Sequence, residues 1–420
     1  MEPSREVVVT GVGVVSPIGI GRDAFWTSLV EGRSGVRRIA RFDASGTPVD
    51  FGGEVTDFDG RRYIRPVKAL KVMSREIQLG ATAALLAAAD ARLADSGVDP
   101  DRLGVVFGTD LIQCDPEEVT AAFRRCLVDG QFHFDRWGTA ALEEIHPLWL
   151  LRHLPNMPAC HIAIAHDARG PNNSITLGEV SSLLAVAEAV RTIERGQADV
   201  MFAGGTGTRV HPTLWVRSFL SPLSKRTDRP EAASRPFDLD RDGMVNGEGA
   251  AAVILESRAA AEARGAPILA TMSGYACRHE STRQANCSGQ ALRQALRAVL
   301  AEARWSPRDV GHVNADGRST IDDDRDEAAA IRHVLGDVPV TAPKSYFGHL
   351  GAGSGAVELV VSVLALQHGQ VPPTLNYERA DPACPVRVVQ GAPLAGCPAA
   401  AIVVNRSPMG QAAALALRSG

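Results

Sequence analysis

The sequence lacks the features of a membrane-spanning or secreted protein. Although 45% of its 420 residues are hydrophobic, no segment approaches the run of about eighteen apolar residues that a transmembrane helix needs. The opening MEPSREVVVTGVG has neither the basic nor the apolar region of a signal peptide and reads directly as a first β-strand. We therefore expect a cytoplasmic protein without a membrane partner.

The sequence has few cysteines and a small net charge, which gives no support to disulfides, a metal site or nucleic-acid binding. The seven cysteines form an odd number, and none follows CxxC or Cys/His zinc spacing. We therefore expect neither a disulfide framework nor a metal site, and interpret the cysteines as buried apolar residues or free thiols. The net charge of −4 gives no reason to expect nucleic acid as a partner. The cysteines are at positions 114, 126, 160, 277, 287, 384 and 397.

What the sequence does contain is an alternation of apolar strands and Ala/Leu-rich helices, which is typical of an α/β fold. The rhythm occurs twice, so we predict two related halves, residues 1–258 and 259–420, in one compact body. Strands are predicted over residues 7–15, 104–107, 199–203, 250–255, 268–274, 312–314 and 401–404, followed by an apolar run over 412–417. Helices are predicted over residues 77–93, 180–195, 290–303, 325–335 and 355–368.

Two segments do not follow this alternation of strands and helices. Residues 257–265, SRAAAEARG, predict a surface helix between the halves and not a flexible linker. Residues 111–160 are charged and contain Trp137 and Trp149. We interpret that second segment as an elaboration that packs against a partner or over the entrance to a site.

The most informative segment is residues 170–205, GPNNSITLGEVSSLLAVAEAVRTIERGQADVMFAGG. It resembles the nucleophile segment of the β-ketoacyl synthases, in which a GP turn leads to a cysteine at the start of a buried helix and a strand ending in ADVMxAGG follows. Counting from Gly170 places Glu179 where that family keeps its cysteine. The resemblance implies a thiolase-like fold with αβαβα layers, and the glutamate implies a chain that does not perform the condensation by itself.

Glu179 has two interpretations. A helix N-terminus stabilises a carboxylate, but an acyl-carboxylate anhydride hydrolyses too readily for a carboxylate to replace the thiolate as acyl carrier. The simpler interpretation is a capping box, in which Glu179 binds back to Thr176 in a helix opened by Ser174 and Thr176. Both can hold at once, because a cap can also fill the former nucleophile pocket.

Residues 312–331, HVNADGRSTIDDDRDEAAAI, resemble the family's first histidine motif, an NAHGTST-type turn followed by an acidic residue and EAxAI. Asp316 stands where the catalytic histidine is expected. A carboxylate there repels a developing enolate, and loss of one such donor costs about 100- to 1000-fold in rate. The alternative is an ordinary turn residue before Gly317.

Residues 342–360, APKSYFGHLGAGSGAVELV, resemble the family's lysine and second-histidine motif, with Lys344 and His349 in the expected places. Alone, such a histidine is more often structural, but the matching frame on both sides favours a site residue. We therefore hypothesise that Glu179, Asp316, Lys344 and His349 form a neutralised polar cluster in place of the catalytic one.

The flanking signatures extend the resemblance over essentially the whole chain. Residues 234–256, SRPFDLDRDGMVNGEGAAAVILE, match the family's RPFDxxRDGxVxGEGA segment, in which we interpret Arg241, Asp242 and Glu248 as a structural polar set. The family's final GFGGxN loop, which gates acyl entry, is replaced by sequence containing Pro408 and Met409. This departure predicts a differently shaped gate.

Loss of the cysteine and of the first histidine resembles the chain-length factors of type II polyketide systems. These paralogues dimerise with a competent ketosynthase and shape its acyl tunnel, although they usually carry glutamine at the nucleophile position. The resemblance implies a ketosynthase partner or a second copy of this chain, with the predicted helix 180–195 and strand 199–203 near the dimer interface and residues 111–160 reaching across it. It implies no cofactor beyond the phosphopantetheine that presents substrate on an acyl carrier protein.

Six cations within fifteen residues suggest where an acidic carrier protein could dock. The same residues also suit a solvated surface without a partner. They are Arg61, Arg62, Arg65, Lys68, Lys71 and Arg75.

Two other functions stay open. The chain could act alone on acyl- or malonyl-carrier thioesters, by decarboxylation, dehydration or acyl transfer, with Glu179 as acid or base and His349 as oxyanion donor. It could also be a homodimeric protein that binds acyl carriers without turnover.

Overall fold

The computed structural model describes residues 5–94, 96–281 and 289–420. Cys287 lies outside the described residues, and the other six cysteines are free thiols. The strands are β1 (Val7–Ser16), β2 (Gly19–Ile20), β3 (Val36–Arg38), β4 (Phe51–Gly53), β5 (Leu103–Gly108), β6 (Leu127–Val128), β7 (Gln131–Phe132), β8 (Asn172–Ile175), β9 (Val200–Thr208), β10 (Glu248–Ser257), β11 (Ala270–His279), β12 (His312–Asn314), β13 (Pro339–Thr341), β14 (Gln370–Val371), β15 (Arg387–Val388), β16 (Leu394–Ala395), β17 (Ala400–Arg406) and β18 (Gln411–Ser419).

Helices alternate with these strands in both parts of the chain. No helix in the described ranges is long and apolar enough to cross a membrane. The α-helices are α1 (Arg22–Val30), α2 (Arg75–Asp90), α3 (Pro116–Arg125), α4 (Met157–His166), α5 (Ser181–Glu194), α6 (Pro212–Ser218), α7 (Arg258–Ala263), α8 (Gln290–Ala303), α9 (Ile321–Leu335), α10 (Lys344–Phe347) and α11 (Ser354–His368).

The main sheet repeats one pairing pattern twice. Its order is β15-β13-β12-β17-β18-β11-β1-β10-β9-β5-β8. From β1 outward the neighbours pair antiparallel, antiparallel, parallel and parallel, and the same succession runs outward from β11. The two halves meet where β1 pairs with β11. This duplication confirms the prediction of two related α/β halves in one compact body.

Two buried helices occupy the middle of the molecule. Helix α11 is buried along Ser354–Leu366 and contacts β10 and β17, one strand from each half. A helix that is apolar on all sides requires such a position, because every face must leave water. Helix α5 packs beside it against β9, while α2 and α8 cover the outer faces of the two halves. The layers therefore follow the αβαβα order.

Most predicted elements are present, with ends shifted by a few residues. Helix α8 and strand β12 have the predicted bounds. Helix α9 begins four residues before the predicted 325, because Asp322, Asp323 and Asp324 form its first turn and favour a helix N-terminus. The predicted surface helix is α7, which Ser257 caps by accepting a hydrogen bond from the backbone N–H of Ala260.

Residues 111–160 form a long connection that leads from β5 into α4. This connection contains α3, the β6–β7 hairpin and several short turns. One contact joins it to the body, in which a carboxylate oxygen of Asp115 lies 3.1 Å from Nε2 of His211. Its outer face carries exposed Phe134, Leu142 and Leu150. That it contacts a partner or covers a site stays a prediction.

Candidate active site

Glu179 lies in a single 3-10 turn, Gly178–Val180, directly before α5. Its carboxylate oxygen Oε1 accepts a hydrogen bond of 2.7 Å from Nη2 of Arg209, and only 10% of its side chain is exposed. The predicted capping box with Thr176 is wrong, since neither the turn nor α5 has a side-chain cap. Ser174 belongs to β8 and does not open the helix.

Arg209 was not predicted from the sequence. It directly follows β9, and its side chain is 22% exposed. The sequence did offer a signal for this arginine. It directly follows the largely apolar run VMFAGGTGT, and a charged residue at that place lies close to the buried end of a strand. The position expected for a nucleophile therefore holds an ion pair.

We expect that Glu179→Ala lowers the free energy of unfolding by about 1–3 kcal/mol, because Arg209 loses the acceptor for a charge-assisted hydrogen bond. The double variant Glu179→Ala/Arg209→Ala should lose less than the sum of the single changes. Equilibrium denaturation of the four proteins measures both effects. Glu188→Ala is the matched control, since Glu188 makes only loose ion pairs of 3.8 and 4.0 Å on the outside of α5. Additive single changes would show that Glu179 and Arg209 are not coupled.

Asp316 is buried in the turn that follows β12. Its Oδ2 accepts a hydrogen bond of 2.6 Å from Nε of Arg318, and its Oδ1 accepts one of 2.8 Å from Nζ of Lys344. Burial alone would raise the pKa of Asp316, but the charges of Arg318 and Lys344 outweigh burial and hold the pKa below its usual value. Asp316 is therefore a charged carboxylate, unlike the imidazole donor expected at this position.

Lys344 joins Asp316 to a second buried carboxylate. Its Nζ also donates to Oε1 of Glu358 at 2.5 Å, and Nδ2 of Asn405 donates to Oε2 of Glu358 at 2.6 Å. Burial raises the pKa of Glu358 to about 7, although Lys344 opposes this shift. Arg318 is a second cation that we did not predict from the sequence. It lies only two residues after Asp316 in the buried ADGRST turn, and this position was the signal that could have identified it.

The turn itself is held by carboxylates on α9. Glu327 accepts the backbone N–H groups of Asp316 and Gly317, both at 2.8 Å. Gly317 has φ +43°, and a Cβ there would lie 2.6 Å from Cβ of Ala342. Asp316 is thus a turn residue, as in the simpler interpretation, and an ion-pair residue as well.

His349 presents a donor that has no partner within the described ranges. The backbone N–H of Gly351 donates to its Nδ1 at 3.1 Å, so the neutral ring carries its proton on Nε2. Nε2 is buried and unpaired in the described part of the chain. Burial, followed by the charges of Arg209, Lys344 and Arg318, lowers the pKa of His349 well below its usual value. The ring can therefore donate one hydrogen bond to an oxygen atom of a bound molecule.

The four predicted residues are thus arranged differently from our hypothesis. Asp316 and Lys344 are in contact, but Glu179 pairs with Arg209, and a second arginine, Arg318, shares Asp316. Arg209 and Arg318, which we did not predict from the sequence, therefore balance much of the negative charge of the site. His349 is neutral and balances none of it. Within the described residues no group of His, Cys, Asp and Glu side chains could hold a metal ion.

The loop after β17 borders the Glu179 turn. A Cβ on Gly178 would lie 3.9 Å from Cε of Met409 and 4.0 Å from Oγ of Ser407. Oγ of Ser407 accepts the backbone N–H of Met409 at 3.1 Å, which fixes the loop. Met409 is 54% exposed. Met409 therefore lies beside Gly178, in the loop for which the sequence predicts an altered gate.

The polar set interpreted as structural from residues 234–256 does make structural contacts. Arg241 donates to Asp381 at 2.6 Å, and Glu248 accepts from Arg75 at 2.6 Å. Asp242 accepts the backbone N–H of Lys225 at 3.1 Å. The assignment of Arg75 to an exposed cationic surface is therefore wrong, because its guanidinium is committed to a buried carboxylate.

The comparisons with known proteins all identify the same family. Residues 4–261 match the model of the beta-ketoacyl synthase N-terminal domain, and residues 269–378 match that of the C-terminal domain. The 3-oxoacyl-[acyl-carrier-protein] synthase 2 of Synechocystis sp. is 36% identical over 395 residues, which cover 92% of this chain and 91% of that protein.

Two solved structures superpose over their whole length and all of this chain. The ishigamide ketosynthase/chain length factor gives a TM-score of 0.86 at 28% identity. A type II polyketide acyl-carrier protein in complex with its ketosynthase bound to the hexaketide (AntDE:AntF) gives a TM-score of 0.82 at 29% identity. With its duplicated thiolase-like fold, the chain belongs to the β-ketoacyl synthase family.

Proposed function

We propose that this chain is a non-condensing, chain-length-factor-like subunit that pairs with a competent ketosynthase in polyketide or fatty acid assembly. The observation that carries the proposal is the ion pair between Glu179 and Arg209 at the nucleophile position. Condensation needs a nucleophile that forms and later releases a thioester. A carboxylate paired with an arginine does not supply one.

The charge at Asp316 supports the same role. Decarboxylation of a malonyl group develops negative charge, which donors such as imidazole N–H groups stabilise. Here a carboxylate with a lowered pKa stands at the first of those positions, and its two cationic partners are directed at it rather than at a substrate. His349 keeps a buried ring N–H that has no partner within the described part of the chain.

The surface offers a place for a partner subunit. Strand β8 pairs only with β5 in the part of the chain described, so its outer edge is open, and an open edge is a template for another strand. Exposed Ile164 and Leu177 lie on the segments flanking that strand. The predicted interface near β9 is less suited, because β9 lies between β10 and β5 inside the sheet.

Co-expression with a cysteine-bearing ketosynthase encoded beside it should yield a stable 1:1 heterodimer. Size-exclusion chromatography with light scattering and intact mass spectrometry measures the stoichiometry. The chain expressed alone, then mixed with the separately purified ketosynthase, is the control for pairing during folding. Recovery of homodimers only, when both chains are present, would contradict the proposed pairing.

We also propose that the exposed cations of residues 61–71 dock an acyl carrier protein. Arg61, Arg62, Arg65, Lys68 and Lys71 are exposed, unlike Arg75, and these five have no ion pair within the described ranges.

Lys68→Glu combined with Lys71→Glu should weaken binding of a holo acyl carrier protein by about 10-fold at low salt, because rim charges steer association. The difference should shrink as added salt screens the charges. Fluorescence anisotropy with a labelled carrier protein measures the affinity, and Arg308→Glu, an exposed change elsewhere, is the control. Equal losses in both variants would indicate a general charge effect and no docking surface.

One observation favours a second function, an enzyme that acts alone on carrier-bound thioesters. The free Nε2–H of His349 could bind a thioester carbonyl oxygen while Glu179 moves a proton. The ion pair with Arg209 opposes this role. The Glu179→Ala variant of the isolated chain separates the two functions, as described in the Discussion.

A further inference from the structure

A cavity of about 480 Å³ lies where the end of α2 meets the last turn of α4. This volume is within the range of about 300–1,000 Å³ that small-molecule sites occupy. Most of the wall is apolar and includes Leu85, Ala88 and Leu103. The cavity therefore offers mainly hydrocarbon surface to a bound molecule.

This cavity is separate from the candidate active site, because β5 lies between the two. Leu103, the first residue of β5, lines the cavity. At the other end of the strand, a Cβ on Gly108 would lie 2.5 Å from the backbone nitrogen of Ser182, at the start of α5. The six residues of β5 span about 17 Å at about 3.3 Å per residue. A ligand in the cavity therefore occupies a different place from the Glu179 turn.

The duplicated fold contains a second copy of this corner. Helix α8 corresponds to α2, because each precedes the strand, β12 or β5, that holds the same place in its half of the sheet. Each helix is followed by an arginine of positive φ, which is Arg92 at +51° and Arg304 at +57°. The next residue is Leu93 in the first half and Trp305 in the second. In both halves its backbone N–H donates to a helix carbonyl oxygen at 2.9 Å.

The two corners differ in the size and polarity of the side chains that fill them. Trp305 packs against the core of the second half, which also contains Leu335, the last residue of α9. The first half has the smaller Leu93 at the first of these positions and His166, the last residue of α4, at the second. The smaller side chain after α2 accounts for the unfilled volume beside it.

Arg92 carries the only charge among the described residues that line the cavity. Its side chain is exposed and makes no ion pair or hydrogen bond within the described ranges. Burial lowers the pKa of His166 to about 4, so that its ring is neutral at pH 7. An apolar wall with one uncompensated cation at its rim fits a molecule that has an apolar body and a single carboxylate.

We propose that this cavity binds a medium-chain fatty acid, with its hydrocarbon tail on the apolar wall and its carboxylate on Arg92. Burial of the tail supplies most of the affinity, and the guanidinium recognises the head group. The inference goes beyond the proposed function, because binding here requires neither a partner subunit nor a carrier protein.

Isothermal titration calorimetry of the isolated chain with octanoate, butanoate and 1-octanol tests this assignment. Octanoate should bind at least about 100-fold tighter than butanoate, since each buried CH₂ group contributes about fourfold to an affinity. It should bind about 3-fold tighter than octanol, because an exposed ion pair contributes only modestly. Added salt should reduce that second difference.

Three variants connect the binding to this corner. Leu93→Trp copies the residue that the second half has at this position, and it should lower the affinity for octanoate at least about 10-fold by filling the cavity. Arg92→Gln should remove the preference for octanoate over octanol. Arg304→Gln is the matched control, since it changes an equally exposed arginine in the equivalent turn beside Trp305, and it should leave both affinities unchanged.

Absence of octanoate binding, an affinity that Leu93→Trp leaves unchanged, or a preference that survives Arg92→Gln would overturn the assignment. An effect of Arg304→Gln as large as that of Arg92→Gln would overturn it as well. If Leu93→Trp does not fold, the preference measured in Arg92→Gln decides. The proposed pairing with a ketosynthase is read from heterodimer formation, so the two proposals can fail separately.

Discussion

The variant Glu179→Cys is expected to accept an acyl group and still to fail at condensation. A thiol at the start of α5 lies at a helix N-terminus and beside Arg209, and both lower a thiol pKa and favour the thiolate. Condensation then requires stabilisation of an enolate, which the charged Asp316 opposes. Its rate should stay at least about 100-fold below that of a cysteine-bearing relative, because one oxyanion donor contributes that much.

Intact mass spectrometry of the isolated variant with acyl- and malonyl-carrier proteins measures both steps. Acylation of the new thiol is the first readout, and a chain extended by two carbons is the second. The control is the chain with Glu179 unchanged, which keeps all seven cysteines and should stay unacylated if the acyl group is on residue 179. Condensation by Glu179→Cys at a relative's rate would show that Asp316 is no obstacle.

Lys344→Met is expected to lower the free energy of unfolding by about 3–5 kcal/mol, the usual cost of removing one partner from a buried ion pair. Lys344 bridges Asp316 and Glu358, and all three are at most 1% exposed. Methionine nearly keeps the volume of the side chain, so the loss arises from two carboxylates left beside each other. Arg318 remains to compensate one of them.

Equilibrium unfolding in urea at pH 7 measures this effect. Lys225→Met, which removes an exposed lysine, is the matched control and should change stability by less than about 0.5 kcal/mol. A similarly small change in Lys344→Met would show that the buried cluster contributes little to the fold.

The sequence predicted the fold better than the charges of the site. Periodicity located α8 and β12 at their observed bounds, since repeated apolar positions show which face a segment buries. It misread the turn before α5, because Ser174 looked like a helix cap although it lies in strand β8. Local residue types do not distinguish these two uses of serine.

The partners of the site residues could not be read from a linear motif. The family frame located Glu179 and Asp316, whereas Arg209 comes from the end of a different strand, 30 residues away. Arg75 shows the opposite error, because its place in a run of cations gave no sign of its buried partner Glu248. Charge pairing in this protein is set by sheet order, which brings distant segments together.

The most direct test of the proposed function is a mixing experiment. The chain, alone and with its neighbouring ketosynthase, is incubated with malonyl- and acyl-carrier proteins, and the carrier-bound species are read by intact mass spectrometry. We expect extended product only from the mixture, and largely unchanged product when the chain carries Glu179→Ala. Conversion of a carrier-bound species by the chain alone, abolished by Glu179→Ala, would contradict this and identify an enzyme that uses a carboxylate where its relatives use a thiol.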